Sequence, residues 1–146
     1  MPWHLPKWVA GPCSLLPRHQ ELVEQPIIAT LCTVGSSGPF LSAVWYEWAE
    51  GGINCTVPPD GVIARNIARC PEVAVLVAGA APPYCGIEYR GAVAVSDDYL
   101  PVLARLARRY LGLEAGAEYL VGHPPNLLLR MERGRFRLWD DAASAG

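Results

Sequence analysis

Trp45, Tyr46 and Trp48 fall within four residues of one another, and Arg65 and Asn66 follow at the head of the next helical segment. Aromatic rings can wall a flat apolar slot, and an arginine fork grips phosphate where a lysine acts only as a point charge. The combination suits a planar ligand with an anionic end. Strand side chains alternate, so Trp45 and Trp48 are expected on opposite faces; one can face a slot while the other packs in the core or against a partner. The competing reading of Arg65–Asn66 is a pair on the solvent face of a helix.

Other reactive residue types form no constellation. Cys13, Cys32, Cys55, Cys70 and Cys85 are odd in number and lack C-x-x-C spacing. They read as small buried hydrophobes in a reducing compartment, with no spacing for a disulfide framework or a zinc site. His4, His19 and His123 are scattered and make no metal motif, so no metal is expected. A haem axial ligand among them stays open.

The elements that would position the aromatic hairpin can be read along the chain. Residues 1–13 form an N-terminal arm that looks irregular; its Trp3 and Trp8 need cover, for which a partner subunit is a candidate. Ser14 is a candidate N-cap for a helix in which Leu15, Leu16, Leu22 and Val23 make the apolar face; Pro17 sits in its first turn and Pro26 ends it. Strands are expected at 27–34, 40–49 and 53–57, with turns at 35–38 and at Gly51–Gly52. A short helix over 61–69 takes Asp60 as N-cap and stops at Pro71. A buried strand over 72–78 precedes a long one over 84–96, where Gly91 invites a bend. Asp98 is the expected cap of an amphipathic helix over 99–111, with Leu100, Leu103, Leu106, Ala107 and Tyr110 as its apolar stripe and Gly112 as its stop. A shorter helix over 114–121 and a final hairpin turning at Arg133–Gly134 close a domain over 14–140, leaving 141–146 as a tail.

Composition fits one domain. The chain has 146 residues, 51% hydrophobic and 18% charged, with a net charge of -2 and 11 Arg against a single Lys. No global positive field attracts nucleic acid, no apolar run spans a bilayer, and the start does not read as a signal peptide, which points to the cytoplasm. Consecutive hairpins argue for antiparallel pairing and two-sided apolar strands for a closed barrel. A parallel dinucleotide fold is disfavoured, because no glycine fingerprint follows the first strand.

The order "ATLCTV", "AVWYEW", "INCTV", "ARNIARCPEVAVLV", "YRGAVAVSDD", "RRYLG" and "RFRLWD" resembles the pyridoxamine-phosphate-oxidase-like split β-barrel flavin and deazaflavin oxidoreductases over residues 14–140. The resemblance implies an α+β fold of the FMN-binding type, an antiparallel split β-barrel with flanking helices. It implies a homodimer with cofactor sites at the interface, FMN or coenzyme F-420 as the bound group, and hydride transfer to or from a small conjugated substrate. It would place the ring along Ala43, Val44, Trp45 and Tyr46, and the phosphate at Thr56, Val57, Arg65 and Asn66. The partner's Arg137 and Trp139 would close over the ring. Tyr46 is then the candidate proton donor, and Glu47 and Glu88 are strand carboxylates that read equally as surface charges. The chain departs from the pattern at Ile63, where phosphate-holding relatives commonly carry Lys, and at Asp60, which adds a negative charge. Two readings of other classes follow: a non-redox barrel binding a flavin, haem or hydrophobic ligand, or a cofactor-free enzyme using the same pocket.

Overall fold

A computed structural model of the chain describes residues 7–141, so Trp3, His4 and residues 142–146 lie outside the described residues. The elements run β1 (Trp8–Ala10), α1 (Pro17–Glu24), β2 (Ala29–Gly35), β3 (Gly38–Val44), β4 (Glu47–Ala49), β5 (Gly52–Val57) and α2 (Val62–Arg69). They continue with β6 (Glu72–Ala78), β7 (Cys85–Ala92), β8 (Ala94–Ser96), α3 (Leu100–Leu111), α4 (Leu113–Leu120), β9 (Leu127–Met131) and β10 (Arg135–Asp140).

The strands form two antiparallel sheets, a six-stranded one ordered β1-β10-β7-β6-β2-β3 and a four-stranded one ordered β4-β5-β9-β8. Burial alternates along the strands: Ala29, Leu31 and Thr33 of β2 and Val73, Val75 and Val77 of β6 point inward while their neighbours do not. Ile53, Cys55, Leu129 and Met131 of the second sheet share the core with Ile87, Tyr89 and Phe136 of the first. The expected closed barrel is not formed. The sheets remain open, because each keeps free edge strands, β1 and β3 in one and β4 and β8 in the other.

The chain changes sheets at corners. The expected strand over 40–49 is broken at Trp45–Tyr46, so β3 ends in one sheet and β4 begins in the other. The long strand over 84–96 breaks at Val93, beside the bend expected at Gly91. Gly91 has φ +152°, and a Cβ there would lie 2.6 Å from the Gly134 Cα. Tyr89 staples this corner, its hydroxyl donating to the Ala92 carbonyl (2.6 Å) and accepting the Gly134 N–H (3.0 Å). Burial raises the Tyr89 pKa. Gly134 marks a third corner, because β9 and β10 belong to different sheets and the expected final hairpin is a crossover between them.

Several caps differ from expectation. Helix α1 is preceded by Leu16, α2 by Gly61 and α3 by Tyr99, and none has a side-chain cap, so Ser14, Asp60 and Asp98 do not serve. Proline pre-set for helical φ starts α1 and α3 instead. Leu16 and Leu100 are exposed, whereas His19 and Val102 are buried. The turn between β4 and β5 is at Glu50–Gly51, one residue earlier than read. The arm is not wholly irregular, since β1 pairs with β10.

Candidate ligand-binding site

A cleft of about 810 Å³ opens where the β3–β4 corner, the end of β5, the start of α2 and the α4–β9 loop meet. Its walls are Ala43, Val44 and Trp45 on one side, and Thr56, Val57, Pro58, Pro59, Asp60 and Ile63 on another. Leu103, Tyr119, His123 and Asn126 complete it. Leu103 is buried at the foot of α3, where a leucine of this kind contributes roughly 1.5–3 kcal/mol to the core.

Trp45 is held by α3. Tyr110 stacks on it with ring centroids 5.1 Å apart and planes 6° from parallel. The Tyr110 hydroxyl donates to the Ile27 carbonyl (2.6 Å) and accepts the Tyr46 N–H (3.2 Å), tying the helix to both sides of the corner. Tyr119 tilts against the same indole at 5.3 Å, and His123 follows on Tyr119 at 4.9 Å. Helix α4 reaches this position by lying close on α3 at Gly116, where a Cβ would sit 2.9 Å from the Ala107 carbonyl carbon. His123 Nδ1 is 2.6 Å from the Pro124 carbonyl, which can only accept, so Nδ1 carries the proton. In the neutral imidazole Nε2 then accepts the Tyr119 hydroxyl at 3.2 Å.

The structure gathers Ala43, Val44, Trp45, Thr56 and Val57 at the cleft, together with Asp60 and Ile63. Arg65 and Asn66 are not among its lining residues. The Arg65 guanidinium is exposed and donates to the Asp60 carbonyl (3.0 Å). Asn66 is buried and donates to the Thr33 hydroxyl (3.0 Å), fixing α2 on β2. Tyr46 is wholly buried, with Arg109 over its ring at 5.1 Å; burial raises its pKa despite that nearby charge. Arg137 pairs with Glu88 (2.9 Å) on the six-stranded sheet, and Trp139 lies over Gly86.

Trp48 packs edge-on against Phe136 in the core, 5.4 Å between centroids. Glu47 accepts from Arg105 (2.7 and 2.9 Å) and Asn54 (3.1 Å). Burial pushes its pKa up, but these donors outweigh burial and hold it below the usual value. Burial also pushes the Cys55 thiol up to about 12, so it stays protonated. All five cysteines are free.

Tyr119 on its own carries no site signal in the sequence, and His123 stands there only as one of three scattered histidines. Their spacing of four residues at a helix end was the available signal. Tyr110 was read only as part of the α3 stripe.

The ring end of a flavin or deazaflavin fits this cleft, and the phosphate end does not. Among the described residues no lysine or arginine lines it, while Asp60 does.

No protein-family model matches the chain, and no curated protein matches its sequence. Solved structures do share its fold. The conserved hypothetical protein Rv2991 from Mycobacterium tuberculosis aligns with a TM-score of 0.73 at 22% identity, over 92% of this chain and 91% of that one. An F420 reductase aligns with a TM-score of 0.64 at 26% identity, over 80% and 94%. A pyridoxamine 5′-phosphate oxidase candidate from Listeria innocua aligns with a TM-score of 0.65 at 14% identity, over 83% and 94%. Heme-binding proteins also share the fold.

Proposed function

The fold is the split-barrel type of the pyridoxamine-phosphate-oxidase-like proteins, and we propose that this chain binds a flat conjugated ligand against Trp45. The observation that carries the reading is the cleft itself, with an indole fixed at its wall by a stacked Tyr110 and flanked by Tyr119. Pre-positioned aromatic rings of this kind bind planar ligands without first having to be ordered.

A second reading is an oxidoreductase using FMN or coenzyme F-420, which would supply hydride transfer when bound. The similarity to an F420 reductase over 80% of the chain favours it. In that reading Ala43, Val44 and Trp45 would hold the ring, and Thr56 offers a hydroxyl beside it. The cation-free lining opposes phosphate binding in this half of the site.

We also propose a homodimer in the cytoplasm. Leu41, Val34 and Leu76 share the outer face of the six-stranded sheet beside its β3 edge, and Leu41 is 68% exposed. Free thiols suit a reducing compartment. Among the described residues no helix is long and apolar enough to cross a membrane.

Titration of the purified protein with riboflavin, coenzyme F-420 and hemin, read by tryptophan fluorescence and the visible spectrum, tests the binding reading. Saturable quenching by at least one flat ring is expected, and quenching by none removes it. Reoxidation of reduced coenzyme F-420 by an added quinone would move the redox reading ahead. Light scattering should return twice the chain mass.

A further inference from the structure

The charges and hydrogen-bonding groups of the cleft specify more than a flat ring. Among the described residues Asp60 is the one acidic residue of the lining, on the wall that also carries Ile63. Asn126 spends one side-chain N–H on the Thr56 hydroxyl (3.3 Å) and keeps the other N–H as a donor and its oxygen as an acceptor. Tyr119 donates its hydroxyl hydrogen bond to the neutral His123 ring, which leaves the phenol oxygen as an acceptor too. The Thr56 hydroxyl remains as a donor. Donors and acceptors are thus both on offer around the aromatic wall, and the asymmetry is one of charge: among the described residues the lining has the acidic Asp60 and no lysine or arginine.

The arginines of neighbouring elements lie outside the cleft lining, although Arg65 stands at its rim beside Asp60. Arg65 donates to the Asp60 carbonyl, Arg105 grips Glu47, Arg109 donates to the Gln25 carbonyl (2.6 Å), and Arg130 donates to the Ala49 carbonyl (2.7 Å).

We infer that the cleft selects a planar heteroaromatic ligand bearing N–H donors or a positive charge, that it excludes one bearing phosphate, and that Asp60 sets this choice. The inference rests on the cleft being the ring site. A cation or an N–H edge placed near Asp60 gains from its charge, while a phosphate there meets a like charge and no lysine or arginine among the described lining residues.

Three fluorescent probes of similar flatness test this on the intact protein: proflavine, a cationic diamine; riboflavin, which is neutral; and FMN, which differs from riboflavin by its phosphate. At low ionic strength proflavine should bind tightest, and FMN about tenfold more weakly than riboflavin. Added salt should narrow both gaps. Asp60→Asn, at an exposed position that caps no helix, should fold normally, weaken proflavine and bring FMN towards riboflavin. FMN binding as tightly as riboflavin in the wild-type protein, or an order unchanged by Asp60→Asn, would overturn the inference while leaving the ring site intact. Binding of none of the three would overturn both.

Discussion

In the cleft, Trp45 and Tyr119 stand beside a carboxylate; on the outer face of the six-stranded sheet, Trp8 stands among guanidinium groups. Arg90, Arg135 and Arg137 lie 5.2, 5.5 and 6.0 Å from the Trp8 ring centroid. Glu88 offsets part of that charge by pairing with Arg90 (2.7 Å) and Arg137 (2.9 Å). Both regions are aromatic, and they differ in how they are built. The arginine face is a product of register: Trp8 sits opposite Arg137, and Arg135 opposite Arg90, on neighbouring strands. The cleft is a product of corners and helix ends, where no repeat dictates which side chains meet. The chain thus gathers three of its 11 Arg around Trp8 on a strand face and none among the described residues that line the cleft.

The sharpest break of this comparison is Trp45→Ala set against Trp8→Ala. The first removes the cleft wall and the stack on Tyr110. It should cost about 2–3 kcal/mol of stability, less than a fully buried tryptophan because the indole is half-buried. It should also weaken a flat-ring probe such as riboflavin by roughly tenfold to a hundredfold, the stacking contribution of one aromatic ring. Trp8→Ala should leave probe affinity unchanged. Denaturant unfolding and a fluorescence titration of both variants check the pair, and equal loss of binding in the two would dissolve the distinction between the regions.

What could be read from the chain beforehand follows the same division. Strand runs and their turn residues announce themselves through period and glycine, so β2, β5 and β6 lie close to where alternation puts them. The bend at Gly91 was legible because only glycine suits its backbone and the approach of Gly134. The corner at Trp45–Tyr46 was not, since it carries no glycine or proline and apolar residues continue through it. Alternation did separate Trp45 from Trp48, but the reason lies in the change of sheet, which sends one to the cleft and the other against Phe136. Arg65 and Asn66 shared a motif and diverge in place, one exposed and one buried, because adjacent helix positions point about 100° apart. The missing cation was visible at Ile63. That Tyr119 and His123 complete the cleft depends on how α4 lies on α3, a contact between helix surfaces that no local pattern encodes.

A middle-sized effect concerns the arginine that braces the cleft side of the molecule through Glu47. The Glu47 carboxylate is held by Arg105 and Asn54, and its pKa in the folded chain is below the ordinary value of 4.5. A depressed carboxylate pKa adds stability that is present above the unfolded value and lost as pH falls through the folded one. Stability should therefore decline on acidification below about pH 4.5, and Glu47→Gln should remove that part of the slope. At neutral pH the variant should be about 1 kcal/mol less stable, a modest loss because Arg105 is largely solvent-exposed. Urea midpoints across the acid range decide this; parallel curves for wild type and variant would mean that Glu47 does not contribute to the acid transition.

The smallest effect belongs to the arginine face. Arg135 is exposed and contributes one of three guanidiniums around Trp8, on an edge strand whose register with β10 is already fixed by backbone pairing. An exposed cation–π contact is worth about 0.5–1 kcal/mol, and removing Arg135 also relieves its repulsion with Arg90 across the pair. The two terms oppose each other, so Arg135→Ala should shift stability by less than about 0.5 kcal/mol. Salt separates them, because screening weakens the arginine–arginine repulsion in wild type and has less to act on in the variant. The stability difference between the two proteins should therefore move in favour of wild type as ionic strength rises. A loss above 1 kcal/mol, independent of salt, would mean that Arg135 packs as part of the fold, and the arginine face would then be as closely built as the cleft.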